Sequence, residues 1–124
     1  MKLSFDLDTG RNFIRGYAEG RITVNQDTVV EGSVVVMPDR LVTDWPPETF
    51  DALAAEHFEA LLELEPEVVL LGTGERQRFP HPTLTRALVE RGIGIEVMDT
   101  PAACRTYNIL MSEERRVAAA LIMI

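Results

Sequence analysis

The side chains best suited to chemistry fall in two short stretches. The first is Asp99-Thr100-Pro101-Ala102-Ala103-Cys104-Arg105-Thr106-Tyr107-Asn108-Ile109-Leu110, which holds the only cysteine of the chain. A cysteine acts as a nucleophile when its thiol is exposed, its pKa is lowered and a base stands beside it. The second is Leu70-Leu71-Gly72-Thr73-Gly74-Glu75-Arg76-Gln77-Arg78-Phe79-Pro80-His81-Pro82. Here a strand ends, two glycines allow a tight turn and a helix begins. Exposed amides and a helix start attract anions, and Arg76, Arg78 and His81 add charge.

Each stretch also has a purely structural reading. On a helical projection Cys104 lies at the edge of an apolar stripe with Ala103, Tyr107 and Met111, away from Arg105. A helix start would favour its thiolate, but His57 and His81 belong to other segments. The stripe position favours a packed thiol over a nucleophile. Thr100 is expected to cap the helix, Thr106 and Asn108 to satisfy loop backbone, and Tyr107 to pack its ring. Gly72-x-Gly74 is not a phosphate loop, because no Gly-Lys-Ser/Thr follows. It is not a dinucleotide fingerprint either, because the third glycine is missing. It remains a tight connection or a small-ligand site, with Asp99 ending the next strand. No spacing matches a metal site, and no two carboxylates stand out as acid and base.

The elements that must carry these residues follow from periodicity. Residues 21–25 alternate polar and apolar, Asn25-Gln26-Asp27 supplies a turn, and 28–37 continues as one β-branched run. Residues 41–45 add a short strand. Phe50, Leu53, Ala54, Phe58, Leu61 and Leu62 then recur at helical spacing. They predict a helix over 48–65 that begins at Pro46-Pro47 and stops before Pro66. Segments 67–71 and 94–99 read as strands buried on both faces. Helices are expected at 82–92, stopped by Gly92, and at 100–111, and a final strand at 116–124. The alternation after residue 46 predicts an α/β domain: three layers around a mixed, largely parallel sheet, an N-terminal β-hairpin region and about three helices. Residues 13–124 form this single domain, with 1–12 a loosely attached N-terminus. In a parallel sheet the loops after 67–71 and 94–98 leave the same edge, where ligands bind. Gly72, Thr73, Gly74 and Arg76 are therefore expected to meet Thr100, Thr106, Tyr107 and Asn108 in one crevice.

Composition narrows the partners. The chain of 124 residues carries a net charge of −8, all of it on residues 1–66, with no basic stripe to offset it. That excludes a duplex nucleic-acid footprint. The expected helix at 48–65 carries Glu48, Asp51, Glu56, Glu59, Glu63 and Glu65 with no Lys or Arg. It is a solvated face or a docking surface for a basic partner. Trp45 is expected to lie as a lid on the core. A lone cysteine gives no internal disulfide. The first residues match no signal or transit peptide, and the longest apolar run, 117–124, is too short to span a bilayer. A cytoplasmic protein without a membrane span is expected.

Several ordered blocks carry a resemblance: Leu70–Gly74, Gly92–Leu110, Glu114–Leu121, and Gly32–Pro38 with Trp45. Together they resemble a family of small domains of unknown function. That family includes a mitochondrial respiratory complex I assembly factor and a cytosolic adipogenesis-associated protein. The resemblance covers about residues 13–122. It implies a three-layer α/β fold whose last strand runs antiparallel to most others, and it implies no established reaction. Arg115 stands where the family often has glycine, and Leu121-Ile122-Met123-Ile124 where proline often follows the last leucine. The expectation is a non-enzymatic interaction or assembly-factor-like module, working with a protein partner of a larger complex and needing no cofactor. The alternative is a binder of, or enzyme acting on, a small anionic ligand in the crevice.

Overall fold

The computed structural model describes residues 10–124. Most of the segment expected to be loosely attached, residues 1–9, lies outside them. Asn12 is held: its N–H donates to Pro38 O at 2.9 Å and its amide to Met37 O at 2.9 Å.

Two sheets and three helices make the domain. Strands β1 (Ile14–Ala18), β2 (Arg21–Val24) and β3 (Thr28–Glu31) form an antiparallel three-stranded sheet. Gly20 (φ 78°) turns the first hairpin and Asn25 (φ 59°) begins the second turn, positions where a left-handed backbone is needed. The second sheet has the order β5-β4-β8-β6-β7, built from β4 (Val34–Met37), β5 (Arg40–Val42), β6 (Val68–Thr73), β7 (Gly94–Met98) and β8 (Val117–Ile122). Helices α1 (Ala55–Leu62), α2 (Arg86–Glu90) and α3 (Thr100–Ser112) connect and cover these strands.

The sheet side chains divide by strict alternation. Val34 and Val36 of β4, Val68 and Leu70 of β6, and Val117, Ala119 and Leu121 of β8 join one buried cluster with Ala103, Cys104, Tyr107 and Met111 of α3. Ile14, Ile22, Val24 and Val30 of the small sheet complete it. Val35, Met37, Val69, Leu71, Ala118, Ala120 and Ile122 face the other way, against Trp45, Leu53, Phe58, Leu61 and Leu88. The result is the expected three-layer mixed α/β arrangement, with α3 and the small sheet on one face and α1 and α2 on the other.

Local readings change where a tertiary contact overrides the pattern. The run 28–37 is two strands, because Gly32 (φ 107°) breaks it and sends its halves into different sheets. The helix expected over 48–65 begins only at Ala55, after a short 3-10 helix at Phe50–Ala52. Leu53 and Ala54 are extended (ψ 136° and 162°), so Pro46-Pro47 does not start a helix. Strand β7 is an edge, with Gly94 and Glu96 exposed, rather than a strand buried on both faces. The final strand is not antiparallel to most others: β8 runs parallel to β6 and antiparallel only to β4. The crossover from β7 through α3 supplies that parallel entry.

At Gly72 a close approach leaves no room for a side chain. A Cβ there would stand 2.9 Å from Leu121 Cδ2 and Thr100 Oγ1 and 3.1 Å from Thr100 Cα. At Gly16, beside the irregularity in the β1–β2 register, an added Cβ meets nothing within 4 Å. Gly72→Ala should therefore cost about 1–3 kcal/mol in urea unfolding, and Gly16→Ala less than about 0.5 kcal/mol. Equal effects of the two would refute the crowding at Gly72.

Candidate functional site

Thr100 is the first residue of α3 and fully buried. Its hydroxyl donates to Ile122 O at 2.5 Å and accepts from Gly74 N at 2.8 Å, while its own N–H donates to Gly74 O at 2.9 Å. It ties the ends of β6 and β8 to the start of α3. The cap itself is Asp99, whose carboxylate accepts from Ala102 N at 2.8 Å. Thr100 is therefore not the cap that position alone suggests.

Thr73 performs a second fixation. Its hydroxyl donates to Arg76 O at 2.7 Å and accepts from Arg78 N at 3.2 Å, which folds residues 74–78 back over the end of β6. Gly74 takes φ 103°, beyond the reach of most side chains. The folded loop opens a cleft of about 210 Å³, lined by Phe50, Thr73, Gly74, Arg76, Arg78 and Ile122 and bordered by Glu48 and Glu75. The Arg78 guanidinium stands 4.2 Å from the Phe50 ring centroid and donates to Asp51 at 2.9 Å. The Arg76 side chain has no hydrogen bond or ion pair among the described residues.

The structure thus brings Gly72, Thr73, Gly74, Arg76 and Thr100 to one edge of the sheet. It does not bring Tyr107 and Asn108 there. Residues 100–108 belong to the expected helix, whose second and third turns lead away from the cleft. The Asn108 side chain accepts from Ile14 N at 2.8 Å and donates to Ile14 O at 2.7 Å, completing the free edge of β1. Tyr107 is buried, and its hydroxyl donates to Asn12 O at 2.8 Å; burial pushes its pKa up. Thr106 is half-buried. The expected single crevice is therefore divided, with one part at the cleft and the other fastening β1 to α3. The cleft residues that pattern reading passed over are Phe50, Ile122 and Met123. No local signal marks them, because their partners lie more than twenty residues away in sequence.

Cys104 is packed in the core, 2% exposed. Burial pushes its thiol pKa up to about 12, with Arg105 opposing the shift slightly. Trp45 is buried as the expected lid, its indole N–H donating to His57 O at 3.2 Å. Glu48, Asp51, Glu56, Glu59, Glu63 and Glu65 are all exposed.

A larger groove of about 460 Å³ lies at the opposite end of β8, lined by Arg11, Pro38, Asp39, Met111, Arg115 and Arg116. Its two later arginines are engaged. Arg116 donates to Asp39 at 3.1 Å and to Leu64 O at 2.8 Å, and Arg115 to Glu67 at 2.8 Å. The hydrogen bonds from Arg116 and Arg115 hold the Asp39 and Glu67 carboxyls below the usual carboxylate range. Among the described residues no cluster of His, Cys, Asp or Glu is placed to hold a metal ion, and no helix is long and apolar enough to cross a membrane.

A three-layer domain with its β8 centre, Thr100 lock and folded 74–78 loop defines a small α/β class. Residues 14–122 match the family described as "Protein of unknown function (DUF498/DUF598)", and the chain belongs to that family. It is 38% identical over 112 residues to bovine (Bos taurus) NADH dehydrogenase (ubiquinone) 1 alpha subcomplex assembly factor 3, a match covering 89% of this chain and 60% of that protein. The chain thus spans about three fifths of the length of that relative. It is 26% identical over 110 residues to the 13 kDa major membrane protein of Francisella tularensis, with 89% of each covered. A crystal structure of a Bordetella parapertussis protein superposes with a TM-score of 0.86 at 40% identity, covering 93% of this chain and 98% of that one. A Xanthomonas campestris protein solved by NMR gives 0.80 at 45% identity, covering 90% and 84%.

Thr100→Val keeps the shape but leaves Gly74 N and Ile122 O buried without that partner. It should cost about 2–4 kcal/mol in denaturant unfolding, while Thr100→Ser retains most of the stability. A Val variant as stable as the Ser variant would refute the lock. With its pKa at about 12, roughly one Cys104 thiol in ten thousand is ionised at pH 8. Iodoacetamide should therefore label the chain quickly only after denaturant is added. Labelling of the native chain at the rate of a free thiol would show that Cys104 is not sealed in the core.

Proposed function

We propose that this protein is a non-enzymatic interaction module of the assembly-factor kind, binding a protein component of a larger complex. The observation that carries the proposal is its 38% identity, sustained over 112 residues, with an NADH dehydrogenase assembly factor. The match covers 89% of this chain, and the proposal places the partner surface on the domain itself. Two features of the molecule support the reading. The polar side chains that looked most chemical, Thr100, Tyr107 and Asn108, are occupied with backbone partners. The outward side of the α1 region offers an acidic surface without a Lys or Arg between Arg40 and Arg76, which suits a basic partner segment. The proposal has the protein working in the cytoplasm with its thiol reduced.

Purification of the tagged protein from its own host at native expression tests this. The comparison variant is Glu56→Lys with Glu59→Lys and Glu63→Lys. These three residues are exposed, so the variant should fold like the parent by circular dichroism. The expected result is a reproducible set of co-purifying proteins, including subunits of an NADH dehydrogenase, depleted about tenfold with the variant. Recovery of the untagged protein in the soluble fraction checks the location. A folded protein that emerges without reproducible companions would overturn the proposal.

A further inference from the structure

From the cleft at the carboxyl ends of β6 and β8 we infer a binding site for a single carboxylate group on a short apolar body. The inference does not depend on the assembly reading. Two guanidinium groups line the cleft, and they are in different states. Arg78 is held: Phe50 lies under it at 4.2 Å and Asp51 takes one of its five N–H donors at 2.9 Å. Arg76 has no side-chain partner among the described residues. The Thr73 hydroxyl fixes the backbone on which both arginines stand, through Arg76 O and Arg78 N. The backbone beneath both arginines is thus prearranged, and ligand binding need not order the loop. A planar guanidinium pairs with a carboxylate through two parallel hydrogen bonds.

Three features narrow the ligand. The volume, about 210 Å³, lies below the range of roughly 300–1,000 Å³ usual for drug-sized ligands, too small to enclose a nucleotide. Glu48 and Glu75 border the cleft and offset the two arginines, so a multiply charged phosphate meets more repulsion than a singly charged carboxylate does. Phe50, Ile122 and Met123 supply apolar wall, suited to a few methylene or methyl groups beside the acid. Such a carboxylate has two sources: a free short-chain acid, or the C-terminus of a peptide.

The test is an amide-shift titration of the full chain at constant ionic strength. The probes are butyrate, acetyl-Ala-Leu with a free carboxylate, and the same dipeptide as its C-terminal amide. At least one of the two carboxylates should give saturable shifts confined to residues 48–50, 73–78 and 122–123. Saturation by butyrate names a free acid as sufficient, and saturation by the dipeptide acid alone names a chain terminus. The amide should give none. Arg76→Gln should weaken binding about tenfold, while Arg91→Gln, an exposed arginine of the α2 end, should leave it unchanged. Equal binding of the amide, equal affinity in Arg76→Gln and Arg91→Gln, or no saturable shift with either acid would each overturn the inference.

Discussion

The Thr100 hydroxyl stands where three segments converge, and their mutual position depends on it. It receives the Gly74 amide and gives its proton to Ile122. Its Cα lies so close to Gly72 that a methyl group on that glycine would collide with it. The geometry requires a small strand residue, a hydroxyl small enough to bury, and a helix that begins in step with the end of the strand. Asp99 meets the last requirement by capping α3 from one residue earlier. Once α3 is anchored there, its apolar side falls along Ala119 and Leu121 of β8, and the small side chains of Ala119 and Ala103 let the helix approach closely.

The same anchoring explains the two fates of the polar residues in α3. Residues at its start meet the sheet edge, where chain ends and turns leave space. Two turns on, the helix lies beneath the small sheet, and Asn108 and Tyr107 meet the backbone of Asn12 and Ile14. Both sets of polar groups are satisfied, as buried polar groups must be. The first set holds Gly74 and Ile122, which line the cleft.

How far the fold could be read from the sequence follows the range of the interactions. The alternation of 21–24 and the apolar stripe of α3 are local signals, and both are seen in the structure at nearly the expected limits. The helix over 48–65 was too long for an instructive reason. Phe50, Leu53, Phe58 and Leu61 all have to face the same core, and a 3-10 turn, an extended pair and a two-turn helix achieve that as well as one helix would. Spacing reports the shared face, not the path of the backbone. Asn108 had two readings, a ligand contact or a partner for backbone, and its sequence neighbours could not choose between them because that partner, Ile14, is 94 residues away; a side chain that completes a distant strand looks, in sequence, like one available to a ligand. Glycine carried more information when read by position: Gly32 divides two sheets and Gly74 opens the loop that shapes the cleft.

The sheet order also governs how the molecule can assemble. Strand β8 separates the β4–β5 pair from the β6–β7 pair, yet it follows all four of them in the chain. Before residues 117–122 leave the ribosome, each pair has an open edge and no neighbour, and no partial sheet can bring the two halves together. The contacts that close the domain span nearly its whole length, so their loop-closure entropy must be met late and at once. Unpaired edges of this kind invite non-native strand pairing. The unpaired inner edges of β4 and β6 therefore stay open until β8 emerges, and insertion of that one alanine-rich strand closes both.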